Sequence, residues 1–413
     1  MTKEACSEPS PFRLGVNYWP ATSAMAFWKC WDDGIVAEDF RRIRGAGFDS
    51  VRLFLTWEDF QTDLGVVNSE ALARLVETVD LAKNAELNVM PTLFTGHMSG
   101  ANFLPVWAVE STKESSRFRN VCDGQVVPGL PKNWFTDAEI LRAQVRLAGA
   151  CAAALNGHPA LIAWDLGNEN SNCAVPPNKE SARAWLSAVT ETIRKNDPAA
   201  SVTIGIHMED LEEDRHLGPA EAAEFCDFLT MHGYPGYASF ADGPTDERLL
   251  PFLAQLTRFL GNDKDVFFTE FGVPSRSLLS VPPVRGADSE TTQPALVSEI
   301  EAAQYIGRGL EALQQCGAIG AMTWCYSDYS PTLFDTPPFD LAPHERSFGM
   351  FRANGRDKPA VEAVHEFSLQ NPLVSRCPLV AASRFIDVTA QEYLRAPQPH
   401  LARLFRRYCA AAG

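Results

Sequence analysis

The chain contains no cluster of basic residues. Its 413 residues include 36 Lys and Arg against 52 Asp and Glu, which gives a formal net charge of −16. Proteins that bind nucleic acids or anionic membrane surfaces present clustered Lys and Arg. The composition therefore argues against both kinds of partner. Acidity itself concerns solubility and identifies no substrate.

Long apolar runs are also missing. No uninterrupted apolar segment approaches the roughly 20 residues that a membrane-spanning helix needs, and the first residues, 1–6, lack the apolar stretch of a signal peptide. The ten cysteines are scattered, and none form a C-x-x-C pair. In a chain of this length without an export signal, the pattern predicts buried free thiols, no disulfide framework and a cytoplasmic location.

The sequence has no literal repeat, but a rhythm recurs along it: a short apolar run, a loop, then an amphipathic helical stretch. This alternation predicts βα units and a parallel sheet. The apolar runs predict strands at 13–18, 50–55, 88–94, 161–167, 201–206, 228–232, 265–270 and 319–324. Eight such units describe a closed (β/α)8 TIM barrel. A doubly wound sheet is less favoured, because no Gly-rich phosphate turn follows the first strand.

The same pattern divides the chain into two parts. We assign residues 1–370 to the barrel and residues 371–413 to a short helical appendage packed on it, since so few residues cannot fill an independent core. Helices are predicted at 34–46, 69–85, 136–155, 179–195, 246–260, 297–315, 358–367 and, in the appendage, 389–409. The connection after the third strand is unusually long and ends near residue 135. Loops of that length are usually functional.

Polar side chains recur at the carboxyl ends of the predicted strands, where (β/α)8 enzymes place their active sites. In strand order they are Arg52, His97, Asn168, Glu169, His232, Tyr234, Glu270 and Trp324. Taken singly, each has an ordinary structural explanation, but their coincidence at successive strand ends favours a site. The set lacks metal-ligand spacing, so we expect neither a metal nor a cofactor. It is rich in carboxylates, aromatic rings and hydrogen-bond donors.

Two carboxylates of this set suit glycoside cleavage, in which one acid protonates the leaving oxygen and a second carboxylate attacks the anomeric carbon or activates water. Glu169 suits the acid, and Glu270 suits the nucleophile. We expect Arg52 and Tyr234 to hydrogen-bond Glu270 and keep it ionised. His232 would hold Glu169 in place or favour its protonated form.

Further residues would hold the sugar. Asn168 would bond the 2-hydroxyl, and Trp324 would form an apolar floor under the ring. Other contacts could come from His207 and Glu209 after the fifth strand and from Asp335 after the eighth. Aromatic rings in the predicted loops above the barrel would stack on sugar faces. These are Trp19, Trp28, Trp31, Trp57, Trp107 and Trp134.

The ordered set resembles the retaining glycoside hydrolases of clan A, and most closely family 5, the cellulase and mannanase family, over roughly residues 12–365. The resemblance rests on Val51-Arg52-Leu53-Phe54, His97, Asn168-Glu169, His232-Gly233-Tyr234, Thr269-Glu270-Phe271-Gly272 and Thr323-Trp324. It implies a β-linked oligosaccharide or glycoside as substrate and no cofactor. It also implies Glu169 as acid/base, Glu270 as nucleophile, and retention through a covalent glycosyl-enzyme.

Some stretches indicate which branch of the family the chain resembles. The family often has proline where this chain has Asn170. Residues 14–20 and the loop 96–100 look more like the mannan-active and β-mannosidase branches than the cellulases. Long loops after strands one, three and seven would close one end of the cleft, which favours removal of single terminal sugars. We therefore expect an exo-acting β-mannosidase or a mannanase-like enzyme.

Three alternatives stay open. A β-glucosidase or β-galactosidase of the same clan would use the same machinery with different hydroxyl contacts. A non-catalytic carbohydrate-binding barrel is disfavoured, because both carboxylates are present. A phosphosugar isomerase or aldolase would need a phosphate cradle after strands seven and eight or a lysine at a strand end, and the sequence offers neither.

Overall fold

Eight parallel strands form the centre of the computed structural model, which describes residues 8–277, 295–375 and 384–412. The strands are β1 (Arg13–Tyr18), β2 (Ser50–Phe54), β3 (Asn88–Thr92), β4 (Trp164–Asn168), β5 (Val202–Gly205), β6 (Leu229–His232), β7 (Val266–Phe271) and β8 (Gly320–Thr323). Neighbours along the sheet follow the order β6-β7-β8-β1-β2-β3-β4-β5. All eight predicted strands are present, with bounds within three residues of the prediction.

The two ends of this order, β5 and β6, are joined by a sparser set of bonds. The backbone N–H of His232 donates to the Ile206 carbonyl at 2.9 Å. The Thr203 hydroxyl donates to the Phe228 carbonyl, also at 2.9 Å. These bonds close the sheet, so the predicted (β/α)8 barrel is confirmed.

Helices surround the barrel in the alternating order expected of βα units. They are α1 (Asp33–Gly45), α2 (Ser69–Asn84), α3 (Ala138–Ala154), α4 (Lys179–Asn196), α5 (Pro219–Phe225), α6 (Leu249–Leu260), α7 (Glu299–Gln315) and α8 (Pro359–Leu369). Five of them are preceded by an N-cap residue whose side chain accepts a hydrogen bond from a backbone N–H of the first turn. Asp137 before α3 and Ser298 before α7 are examples. The sequence does not predict α5, because seven residues are too few to show a helical period.

The connection after β3 is a folded segment, which corrects the prediction of a loop. Its short strands Gly96–Met98, Ala101–Phe103, Arg119–Cys122 and Gln125–Val127 pair with one another. The first of them also pairs in parallel with β4. Because each strand has only three or four residues, the sequence shows no clear alternation there. We call residues 95–135 the β3 arm.

The β3 arm is tied to two other loops at the same end of the barrel. Arg117 donates both ends of its guanidinium to Glu209, after β5, at 2.6 and 2.7 Å. Arg119 binds Asp340, after β8, at 2.8 and 2.7 Å. Bidentate pairs of this kind fix orientation as well as distance. The arm thus spans the mouth of the barrel from one loop to the other.

The C-terminal part contains two helices, α9 (Ala390–Arg395) and α10 (Pro397–Ala412), in place of one predicted helix. The break falls at Ala396, because Pro397 disfavours a helical residue before it. The fully buried Tyr393 donates its hydroxyl to the Leu211 carbonyl at 2.7 Å. The appendage is therefore attached to the loop after β5, which also carries residues at the barrel mouth.

The cysteines in the described ranges are free thiols: Cys30, Cys122, Cys151, Cys173, Cys226, Cys316, Cys325 and Cys409. Cys6, Cys377 and most of the loop predicted after β7 lie outside the described residues. Among the helices of the described ranges, none is both long and apolar enough to span a membrane.

Removing the Tyr393 hydroxyl should destabilise the protein. In Tyr393→Phe the buried Leu211 carbonyl loses its donor, which costs about 1–3 kcal/mol. We expect a lower urea midpoint with an unchanged m-value. Tyr408→Phe is the matched control, since the described residues give the Tyr408 hydroxyl no hydrogen-bond partner. Equal midpoints for the two variants would contradict the attachment.

Candidate active site

Arg52 lies at the bottom of the site and is fully buried in β2. All five of its N–H donors are used. Nε and Nη2 donate to Asp165 Oδ2 at 2.9 and 2.6 Å, and Nη2 also donates to Asn168 Oδ1 at 2.8 Å. Nη1 donates to Asn17 Oδ1 at 3.2 Å and to Glu270 Oε1 at 2.6 Å. One guanidinium thereby connects β1, β2, β4 and β7.

Glu270, in β7, is held from two sides. Arg52 donates to Oε1, and the Tyr234 hydroxyl donates to Oε2 at 2.7 Å. Both contacts are those expected from the sequence. Burial raises the pKa of Glu270 above its ordinary value, and the nearby charge of Glu169 adds to that rise, while Arg52 and the Tyr234 hydroxyl oppose it. The two donors therefore favour the ionised carboxylate against the cost of burial.

Glu169 follows β4 and has a left-handed backbone conformation, with φ of 48°. This conformation ends the strand and turns the side chain toward the barrel axis. Its Oε1 lies 3.0 Å from His232 Nδ1, and its Oε2 accepts from Asn172 Nδ2 at 3.2 Å. Its side chain is 15% exposed, so Glu169 is the more accessible of the two carboxylates.

His232 lies between the two acids. Its Nδ1 is 3.0 Å from Glu169 Oε1 and 3.5 Å from Glu270 Oε1. Burial lowers the pKa of His232 to about 4, so the ring is neutral at neutral pH. Nε2 is buried and has no hydrogen-bond partner in the described part of the chain. The single ring proton therefore belongs on Nδ1, where it can be donated to a carboxylate.

The two acids are close together. One ligand atom from each of Glu169, His232 and Glu270 lies within 4.8 Å of the others. Retaining glycosidases hold their carboxyl groups about 5–5.5 Å apart, whereas inverting ones need about 6.5–9.5 Å. An approach of two carboxyl oxygens to within 4.8 Å is closer to the separation of the retaining class than to that of the inverting class. The three side chains could in principle hold a metal ion, but donors from Arg52 and Tyr234 already occupy Glu270.

These groups open into a cavity of about 530 Å³ at the C-terminal ends of the strands. Its volume is within the range usual for small-molecule sites. Nine of the residues predicted for the site line it: His97, Asn168, Glu169, His207, Glu209, His232, Tyr234, Glu270 and Trp324. Arg52 lies beneath them and reaches the cavity through Glu270 and Asn168.

Trp19 and Trp57 are not part of the cavity wall, which corrects their prediction as sugar contacts. Each is 1% exposed. Trp19 stacks on Phe54 with ring centroids 5.2 Å apart, and the Trp57 indole N–H donates to Gln61 at 2.8 Å. Large aromatic rings in loops bury apolar area that holds the loop down. The same holds for the other loop tryptophans expected at the sugar, which also lie outside the lining: Trp28, Trp31, Trp107 and Trp134.

His207 and Glu209 line the cavity with opposite charges. Burial by itself lowers the pKa of His207, but the carboxylates of Asp210 and Glu169 outweigh it and hold the pKa well above its ordinary value. His207 Nδ1 lies 2.8 Å from Asp210 Oδ2. Its Nε2 lies 3.8 Å from Glu209 Oε2, at the distance of an ion pair, but makes no hydrogen bond within the described ranges. Glu209 accepts from Arg117 and from Arg215. Glu209 is thus held by two guanidinium groups, whereas the Nε2 of His207 makes no hydrogen bond within the described ranges.

Several residues of the site escape sequence reasoning. Asn17 and Asp165 belong to it through Arg52, and a buried Asp within an apolar strand is a usable signal, because it needs a partner. Glu345 lines the cavity from the loop after β8. The irregular sequence around Glu345 contains no pattern that indicates a position in the site. The sequence favoured Asp335, which is exposed and does not line the cavity.

A (β/α)8 barrel with two close carboxylates after β4 and on β7 is the arrangement of a glycoside hydrolase. The family model described as cellulase (glycosyl hydrolase family 5) matches residues 17–330. The chain therefore belongs to glycoside hydrolase family 5, and the resemblance seen in the sequence is confirmed. No curated protein sequence gave a significant match.

Solved structures share the fold. GH5_18 from Streptomyces cattleya, in complex with GlcNAc, has a TM-score of 0.72 at 23% identity over 88% of this chain and 80% of that chain. GH5_18 from Bifidobacterium longum subsp. infantis has a TM-score of 0.70 at 24% identity, over 87% and 79% of the two chains. An exo-beta-1,4-mannosidase from Opitutaceae bacterium strain TAV5 has a TM-score of 0.69 at 25% identity, over 87% of this chain and 60% of that chain.

Removing the Tyr234 hydroxyl should shift the pH dependence of activity. We expect Glu270 to act in its ionised form. Tyr234 stabilises that form, so Tyr234→Phe should raise a pKa that burial has already raised. We expect the acidic limb of kcat/KM to move to higher pH by about one unit. Tyr408→Phe should leave the profile unchanged. An acidic limb that stays in place in Tyr234→Phe would show that this bond does not tune Glu270.

Proposed function

We propose that this enzyme is a retaining, exo-acting β-mannosidase, with Glu270 as nucleophile and Glu169 as acid/base. The observation that carries the proposal is the geometry of the two acids. They face each other at the spacing of a double displacement, and they differ in environment. Glu270 is buried against a guanidinium, whereas Glu169 faces the open cavity beside a neutral histidine.

In the first step, Glu270 attacks the anomeric carbon of the glycoside. The bond from that carbon to the glycosidic oxygen breaks, and Glu169 gives its proton to the departing oxygen. The products are an ester between the sugar and Glu270, a free alcohol, and ionised Glu169. Arg52 and Tyr234 hold both oxygens of Glu270, so the carboxylate needs little reorganisation before it attacks.

In the second step, Glu169 takes a proton from water as the water attacks the anomeric carbon. The ester bond breaks, Glu270 returns to its ionised form, and the sugar leaves with its original anomeric configuration. His232 supports both states of Glu169. Its Nδ1 can donate to the ionised carboxylate, and the ring carries no charge that would oppose reprotonation.

Asn168 is placed to recognise the sugar next to the reacting carbon. Its Oδ1 accepts from Arg52, and its Nδ2 donates one hydrogen to the His97 carbonyl at 2.6 Å. The second hydrogen of Nδ2 is left for a substrate hydroxyl. We infer that this hydroxyl is the 2-hydroxyl, whose hydrogen bonds strengthen in the transition state of such reactions.

The mannoside preference rests on likeness. The chain is similar to an exo-beta-1,4-mannosidase, and a variant of the Streptomyces cattleya GH5_18 forms a complex with Manb1-4GlcNAc. The stretch 14–20 and the loop 96–100 carry the same likeness in the sequence. A β-glucosidase or β-galactosidase of the same clan is the second candidate, since the catalytic pair would be identical.

The β3 arm supports the proposal of exo action. Besides its pairs with Glu209 and Asp340, the arm reaches the loop after β8 through Ser99, whose hydroxyl donates to Glu345 at 2.9 Å. These bridges cross the mouth of the barrel, so a long polymer would have to displace them. A pocket closed on one side accepts a chain end more readily than the middle of a chain.

A panel of 4-nitrophenyl β-glycosides tests the sugar preference. We expect the highest kcat/KM on the mannoside, ahead of the glucoside, galactoside and xyloside. Early products from mannooligosaccharides should be mannose and a chain shortened by one sugar. A preference for the glucoside or galactoside would overturn the mannoside proposal. Release of internal fragments would overturn exo action, and sugar binding without turnover would favour a binding protein.

The role of Glu169 predicts a dependence on the leaving group. A 2,4-dinitrophenolate leaves without protonation, whereas a sugar alcohol does not. Glu169→Ala should therefore lower kcat/KM on a mannosyl disaccharide by about 10²–10⁴-fold and on the dinitrophenyl β-mannoside by much less. Asp335→Asn, an exposed carboxylate on the loop after β8, should change neither. Equal losses on both substrates would exclude Glu169 as the acid.

A further inference from the structure

A third acid, Glu345, lines the same cavity and has no part in the two chemical steps. It lies in the turn Pro343–Ser347 after β8, and the residue is 7% exposed. Its Oε2 accepts from the Ser99 hydroxyl at 2.9 Å. Its Oε1 lies 3.4 Å from the Tyr237 hydroxyl and 3.3 Å from His344 Nε2. These contacts fix the position of the carboxylate in the cavity wall.

The surroundings of Glu345 favour its ionised form. Burial by itself raises the pKa of Glu345, but hydrogen bonds from His344, Ser99 and Trp324 outweigh it and hold the pKa below its ordinary value. An ionised carboxylate only accepts hydrogen bonds, and it offers about four acceptor positions. The protein uses some of these, and the Tyr237 contact is long. Acceptor capacity is therefore left on the side that faces the cavity.

The position of Glu345 relates it to the sugar that reacts. Trp324 follows β8, and its backbone N–H donates to the Phe271 carbonyl, next to Glu270. A ring packed on Trp324 with its anomeric carbon at Glu270 presents its outer hydroxyls to the edge of the indole. Glu345 lines the same cavity as Trp324, and the indole is close enough to contribute to the lowering of the Glu345 pKa. The departing group lies instead on the side of Glu169.

From this placement we propose that Glu345 is a specificity-determining residue, whose carboxylate accepts one or two hydroxyl groups of the terminal sugar at positions 3, 4 or 6. The inference rests on the proposed function, since it presupposes that a sugar occupies the space between Glu169 and Glu270. Positions 1 and 2 are excluded, because they face the two catalytic acids and Asn168. The bridge from Ser99 then both closes the cavity and orients the recognising carboxylate.

The test is a substrate cycle with Glu345→Gln, an almost isosteric change. The parent 4-nitrophenyl β-mannoside is compared with its 3-deoxy, 4-deoxy and 6-deoxy analogues in each protein. We expect the wild type to prefer the parent over at least one analogue by roughly 10- to 150-fold, the range for hydrogen bonds to charged groups. In Glu345→Gln that preference should shrink to a few-fold. Asp335→Asn should keep the preference of the wild type.

The ratio between substrates does not depend on how much of a preparation is folded, so partial unfolding of Glu345→Gln cannot imitate the expected result. The inherent reactivity of each deoxy sugar cancels in the same way. If Glu345→Gln keeps the wild-type preference against all three analogues, the proposal is wrong. If the panel shows a glucoside preference, the same cycle on deoxyglucosides still decides the role of Glu345, while the mannoside proposal alone fails.

Discussion

The rest of the site depends on the charge of Arg52, which is fully buried inside the barrel. Losing one partner of a buried ion pair costs about 3–5 kcal/mol, because the other charge stays without compensation. That constraint accounts for residues that take no part in the chemistry. Asp165 neutralises the guanidinium, and Asn17 Oδ1 accepts a hydrogen bond from its Nη1. The Thr92 hydroxyl donates to Asp165 at 2.7 Å. The strands can then meet at the positions that bring Glu169 and Glu270 together.

Asp165 and Glu270 share the same guanidinium, and this sharing gives Glu169 and Glu270 different properties. Arg52 makes two bonds to Asp165 and one to Glu270. The negative charge of Glu270 is consequently only partly compensated, and burial still raises the pKa of its carboxyl group. His232 adds no positive charge, because burial keeps its ring neutral. A buried acid held by donors and a more exposed acid beside a neutral imidazole are the two groups that a double displacement requires.

Sequence patterns predicted the barrel and most of the cavity, because apolar periodicity and strand-end position are local signals. Glu169, Glu270 and Tyr234 could be found in this way, since each lies at or just after the end of a buried strand. The contacts of the loop residues could not be predicted from these local signals. Trp19 and Trp57 resemble sugar platforms in sequence, but whether an aromatic ring faces a ligand or packs a loop depends on tertiary contacts. The strands of the β3 arm were missed because each is too short to show a period, and the position of Glu345 in the cavity wall depends on tertiary contacts.

The central claim is that Glu270 becomes covalently bonded to the sugar. The most direct measurement is inactivation with 2-deoxy-2-fluoro-β-mannosyl fluoride, followed by mass spectrometry of the intact protein and its peptides. The fluorine slows the second step more than the first activated step, so the ester should accumulate. The account predicts one fluoromannosyl group per chain, on the peptide that contains Glu270, and none in Glu270→Gln. A label on another residue, or hydrolysis with inversion and no label, would contradict it.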